Sequence, residues 1–253
     1  IINWQKNETN NYNTDVSTLI EPIKELFNKF DITNAFKSLQ LSMDSSIGNA
    51  RVLYKLFLLR ASFELKLHDV DKFIATMEYI KNAYVDFIKS DINFTELNLT
   101  YLSLLSNEEE YFLLAEEFSK IKNIDIEYFQ AVFYINNKDT DKAKEIFDIK
   151  YPDIHNIKPN IALIHAYIFN QLMVSNETME LNYSKMVLCY DKYLDEIEIV
   201  NNYELLSINI FKCTLPLEHF YEEKVLSEED IKMLNTAICN IELVLDEVNH
   251  FGK

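Results

Sequence analysis

Two glycines, Gly48 and Gly252, serve a chain of 253 residues, with four prolines, Pro22, Pro152, Pro159 and Pro216. An average globular chain of this length carries roughly 18 glycines and about 13 prolines. Glycine supplies positive φ and close backbone approach to phosphate. With two of them no GxxxxGK[ST] loop, GxGxxG turn or G-x-S-x-G elbow can be written. A sheet-rich fold, whose hairpins draw on glycine, is excluded as well. The remaining solution is a helical chain whose turns are closed by polar caps.

Apolar spacing agrees. Val70, Phe73, Met77, Ile80, Tyr84 and Phe87 recur at steps of three and four, as do Tyr111, Leu114, Ala115, Phe118 and Ile121. Ile231, Leu234, Ile238, Ile241, Leu245 and Val248 form the longest stripe. Each series lies along one side of a helix. Asp31, Asp69, Asn107 and Asp139 stand just before periodic runs, where a short acceptor caps exposed N–H groups. Ser227 with Asp230 reads as a capping box before the last helix. Pro159 suits a first helical turn, and Pro216 ends or kinks the helix carrying Tyr203 to Cys213. The signals predict about twelve helices in six antiparallel pairs, at 16–44, 49–90, 93–122, 125–149, 158–196 and 201–250. Residues 1–14 are polar and read as a leader, and the loop at 150–159, bracketed by prolines, reads as a soft joint. A period near 35 residues marks a helical solenoid.

Apolar residues make up 48% of the chain, enough for a sizeable core despite a net charge of −17. That acidity disfavours a nucleic-acid backbone or an anionic membrane as partner, and its bland reading is solubility. No run approaches the apolar length of a membrane span. Cys189, Cys213 and Cys239 are odd in number and widely spaced, which predicts buried free thiols and a cytoplasmic setting. Lysine outnumbers arginine 22 to 2 and asparagine is abundant, a bias of AT-rich genomes. The sequons at Asn7, Asn93, Asn98, Asn176 and Asn182 follow from that abundance. The chain starts at Ile1 without a methionine, and it is expected to be a piece of a larger multidomain protein.

The pair at 125–149 resembles a tetratricopeptide repeat. Ala131, Tyr134, the turn Lys138-Asp139, Ala143 and Phe147 fall at that family's spacing, with Lys138 in place of the turn glycine and the proline displaced to Pro152. The pair at 49–90 is similar through Phe57, Ala61, the turn His68-Asp69, Phe73 and Met77, with Phe73 in place of a small residue. The first pair matches through Asp31, Ala35 and Leu39, and the pair at 93–122 keeps the turn Asn107-Glu108 but lacks the small residues. The last two pairs match only in helix pattern. The resemblance implies an all-α, right-handed solenoid of about six antiparallel helix pairs over 15–253. It also implies a non-catalytic module, free of cofactor and metal, that binds a protein or peptide. The segments Leu53–Arg60 and Leu67–Asp71 carry a looser resemblance to the repeat domains of intracellular peptide-pheromone receptors from low-GC bacteria. That likeness implies the alternative of a regulator that senses a short signalling peptide. A scaffold or sensor in a bacterial defence or toxin system fits the architecture too.

Candidate sites follow from rare side chains. Arg51 and Arg60 are the two arginines, and Arg51 shares a helix face with Lys55, beside Tyr54. In so acidic a chain this basic spot suits a peptide carboxylate, and the competing reading is an internal salt bridge. Tyr54, Tyr101, Tyr128, Tyr134 and Tyr167 fall on first helices of successive pairs, which the resemblance places on a concave face; the competing reading is gap filling. The stripe from Ile231 to Val248 reads as a cap over the last pair or as a homodimer seam. Catalytic residues are not expected. His68 belongs to a turn, His165 to an apolar helix as a satisfied core histidine, and nothing completes a Cys213–His219 pair. Acidic clusters such as Glu108-Glu109-Glu110 and Glu228-Glu229-Asp230 suit helix starts.

Overall fold

The computed structural model describes residues 16–173, 179–196, 202–214, 216–217 and 225–250, with backbone alone at 202–204 and 246–250. The predicted leader, 1–14, lies outside them. The described residues form thirteen α-helices and no strand: α1 Val16–Asn28, α2 Ile32–Ser45, α3 Ala50–Lys66, α4 Val70–Ala83, α5 Val85–Ile88, α6 Ile92–Leu104, α7 Glu108–Lys122, α8 Ile126–Asn136, α9 Thr140–Lys150, α10 Pro159–Leu172, α11 Met179–Glu196, α12 Asn202–Lys212 and α13 Glu228–His250. None is long and apolar enough to cross a membrane. Five of the six expected pairs pack as pairs, α1 on α2, α3 on α4, α8 on α9, α10 on α11 and α12 on α13, and one of them carries an interruption. The stripe from Val70 to Phe87 is two helices, because Tyr84 leaves α4 at φ −125° and ψ 36°. Its ring packs among Tyr54, Phe57, Tyr79 and Phe87.

One turn design recurs and explains how the chain manages without glycine. Phe30, His68, Ser106 and Lys138 each take left-handed φ, between 55° and 62°, at intervals of 38, 38 and 32 residues. The next N–H donates back five residues: Asp31 to Leu26 (3.0 Å), Asp69 to Glu64 (2.9 Å), Asn107 to Leu102 (3.0 Å) and Asp139 to Tyr134 (2.8 Å). This closure ties off the first helix's last carbonyls. The same residue then starts the second helix. Asp31, Asn107 and Asp139 accept from the N–H three residues on, each at 3.3 Å. Asp69 makes no such bond, and its carboxylate takes Lys72 instead. Around each turn the same positions are buried. Eight residues before the cap lie Ile23, Ala61, Leu99 and Ala131; four after it lie Ala35, Phe73, Tyr111 and Ala143; eight after it lie Leu39, Met77, Ala115 and Phe147. The pair at 93–122 does keep a small residue. Tyr111 and Ala115 exchange the small-then-large order of Ala143 and Phe147, so the volume is conserved.

A left-handed L-residue is strained by roughly 1–2 kcal/mol. His68 and Lys138 point into solvent. His68→Gly and Lys138→Gly are each expected to stabilise the chain by about 0.5–1 kcal/mol, because glycine's own chain entropy offsets part of the relief. Gly48, at φ 97° with open space around it, has the opposite sign. Gly48→Ala is expected to cost about 1 kcal/mol. Urea melts of the three variants check both signs.

By internal contacts the chain divides into two compact units, 1–101 and 102–253. In the first, α3 is central and packs on α1, α2 and α4. It buries Val52, Leu56, Leu59 and Phe63 but also Tyr54, Leu58 and Ala61, so it is covered nearly all round. Phe27 stacks on Phe63, with centroids 3.8 Å apart. Glu64, 1% exposed, accepts from Arg60 Nε at 2.7 Å and from Thr76 Oγ1 at 2.6 Å, and so pins α4 to α3.

In the second unit, α7 to α11 pack each on the next, and α12 packs on α13. Its core joins Ala131, Phe147, Ile161, Ile168, Met186 and Tyr190. Ile157, in the loop between α9 and α10, is buried in this core. The proline-bracketed segment at 150–159 therefore lies inside this unit, between helices that share one interior. Tyr111 Oη donates to Phe129 O at 2.8 Å, and Tyr183 Oη to Lys212 O at 2.6 Å. The expected capping box stands: Ser227 N donates to Asp230 Oδ2 and Asp230 N to Ser227 Oγ, both at 3.0 Å. Helix α12 ends at Lys212, ahead of Pro216.

Candidate binding cleft

The first unit contains a cleft of about 490 Å³ between the start of α3 and the segment 86–92. Arg51, Tyr54 and Lys55 form one wall; Asp86, Phe87 and Ser90 form the other, with Asp91 and Ile92 at its end. The arrangement begins with a cap. Asp91 precedes α6 and accepts from Asn93 N at 2.9 Å and Phe94 N at 3.3 Å. Its second oxygen takes the ammonium of Lys55 at 2.5 Å. The ion pair and the cap hold the Asp91 carboxylate below its ordinary range, against the burial that would raise it. Lys55 is thus committed to an internal salt bridge.

Arg51, one turn earlier, is not. It is exposed and makes no ion pair with any described residue. Asp86, across the cleft, is likewise exposed and unpaired among the described residues. Between them lies Tyr54, buried, with its ring 5.5 Å from Phe87 and inclined by 24°. Its hydroxyl is shut off from water beside Asp91 and makes no hydrogen bond of normal geometry. Burial, then the neighbouring Asp91 charge, push the Tyr54 phenol above its usual range. The cleft therefore holds one compensated charge pair, one loose cation, one loose anion and an apolar surface from Phe87 and Ile92.

The other tyrosines are placed differently. Tyr101 is buried beneath Lys81, whose ammonium lies 4.8 Å from its ring. Tyr128 packs edge-on against Phe129 in the second unit. Tyr134 lies under Lys142 and donates to Glu108. Tyr167 meets Tyr190 and Phe211 edge-on. All of these have partners within the fold. Asp86, Phe87, Ser90 and Asp91 escaped sequence reasoning. Asp91 alone carried a signal, as a short acceptor before an apolar run.

The groups considered for chemistry occupy structural places. His68 is the exposed left-handed residue of a turn. His165 is buried against Phe147, at 4.6 Å, and Phe169, but it is not satisfied: Nδ1 has no partner. Burial lowers its pKa to about 4. Cys189 and Cys213 are buried thiols; burial pushes Cys189 up to about 12 and Cys213 upward, the opposite of an activated thiolate. Cys213 donates to Asn209 O. His219 lies outside the described residues. Cys239 is exposed, contrary to the expected burial of all three thiols. The Asn182 side chain is buried and its Nδ2 donates to Leu172 O, which leaves that sequon unsuited to a glycan in the folded chain.

The α13 stripe departs from expectation. The helix packs on α12, and its buried apolar residues are Ala237 and Val244, beside the stripe. Ile231, Ile238 and Leu245 are 45%, 47% and 42% exposed, while Leu234 and Ile241 are half-buried. The Val248 side chain lies outside the described residues.

Set against family models, curated proteins and solved structures, the chain has no significant match in any of the three.

Proposed function

We propose that this chain is a non-catalytic, tetratricopeptide-like helical repeat module that binds another protein through α13. The observation that carries this reading is the outward stripe of α13. Its spacing of three and four from Ile231 to Leu245 is a heptad seam, while the neighbouring Ala237–Val244 line is used for the chain's own packing. A seam of that period complements a second helix. The recurrent turns at Phe30, His68, Ser106 and Lys138, with the small and large residues at fixed offsets from them, support the repeat reading. A second copy of the chain supplies a helix of the required kind. Sedimentation velocity tests this. Wild type is expected to dimerise with rising concentration, and Ile238→Asp with Leu245→Asp to sediment as a monomer of unchanged helicity. A wild type that stays monomeric at high micromolar concentration overturns self-association through this face.

The alternative, a regulator that senses a short signalling peptide, is favoured by the uncommitted Arg51 in the cleft.

A further inference from the structure

We infer that the cleft between α3 and α5 is a site for a small zwitterion, a free apolar amino acid or a dipeptide, with its carboxylate on Arg51, its ammonium on Asp86 and its apolar side chain on Phe87 and Ile92.

The charges select this class. Lys55 and Asp91 neutralise each other, so the groups with bonding capacity left are one guanidinium and one carboxylate. They line the same cleft and form no ion pair with each other. A guanidinium offers a planar fork that a carboxylate fits with two parallel bonds. A simple anion would leave Asp86 facing it and gain nothing from that wall. A doubly charged phosphate would exceed the one uncompensated cation and be repelled by Asp86. A ligand with both signs satisfies each loose group and removes no charge from water without a partner. The volume, about 490 Å³, is in the range of small-molecule sites and large enough for a dipeptide. Phe87 is partly covered and Ile92 is 44% exposed, so an apolar side chain has a surface to cover. The Tyr54 side chain also lines the cleft, its hydroxyl turned to Asp91 and shut off from solvent. This site is separate from the α13 face, and a failure of either reading leaves the other standing.

Titration calorimetry on the whole chain tests the inference with four probes: L-phenylalanine, glycyl-L-phenylalanine, N-acetyl-L-phenylalanine and L-phenylalaninamide. At least one of the two zwitterions is expected to bind saturably. Blocking either end is expected to weaken binding by roughly tenfold or more, the scale of one charged hydrogen-bonded contact. Arg51→Gln and Asp86→Asn are expected to weaken it similarly while keeping the wild-type melting temperature, since neither side chain holds the fold together. Absence of saturable binding by both zwitterions overturns the proposal. So does equal binding of N-acetyl-L-phenylalanine, which would make this a carboxylate site of a longer peptide. Binding that survives both substitutions overturns the location.

Discussion

Arg60→Met is expected to destabilise the chain by about 3 kcal/mol, the largest effect of any single change considered. The cause is Glu64 rather than the lost arginine. Glu64 is sealed inside the first unit, where its two oxygens take Arg60 Nε and Thr76 Oγ1. Arg60 itself keeps 35% of its side chain in water, so its charge is tolerable with or without a partner. Removing it leaves a carboxylate in the interior with one hydroxyl for company. Removing Thr76 as well would deepen the loss. Replacing the whole cluster, as Arg60→Met, Glu64→Leu and Thr76→Val together, is expected to bring stability back to within about 1 kcal/mol of wild type, because a well-packed apolar set often replaces a buried ion pair without loss. Urea unfolding of the single and triple variants decides the matter. A single variant as stable as wild type would show that Glu64 is not held by Arg60. A triple variant no better than the single would show that the deficit is lost packing by the arginine stem.

The turns that organise this molecule were legible because they are local. A capping Asp or Asn and the run after it lie within four residues of one another, so Asp31, Asn107, Asp139 and Ser227 could be placed without any tertiary knowledge. Burial at fixed offsets from those caps followed from periodicity. What periodicity does not carry is phase. The α13 stripe was visible as a series of apolar residues, yet which face meets α12 depends on where Met233 and Ala237 find partners, and that is settled by other helices. The cleft failed for a related reason. Lys55 and Asp91 are 36 residues apart, and only the fold places the cap of α6 beside α3. Asp86 carries no local signal at all. The break at Tyr84 was missed because no proline or glycine marks it; aromatic packing with Tyr54, Phe57 and Tyr79 takes precedence there over helix continuity.

Lowering the pH from 7 to 5 is expected to cost about 2 kcal/mol through one further side chain, His165. In the fold its ring is enclosed by Phe147, Tyr151 and Phe169, and burial disfavours the imidazolium. The nearby charges partly cancel: Asp148 favours protonation, while Lys144 and Lys185 oppose it. The pKa falls from 6.5 to about 4. Between those values the unfolded chain binds the proton and the folded chain does not. Stability is therefore unaffected by this group above about pH 6.5 and is lost progressively as the pH falls toward 4. The carboxylates held below their usual range, among them Asp91 and Glu116, contribute losses that set in at lower pH, so the interval from 7 to 5 isolates the histidine. His165→Phe removes both the titrating group and the unpartnered Nδ1, and is expected to flatten the profile across that interval. Where the larger ring strains the pocket, His165→Leu is expected to lower stability at both pH values yet give the same flat difference. A wild type equally stable at pH 5 and 7, or a variant that keeps the full slope, would move the pH response away from this residue.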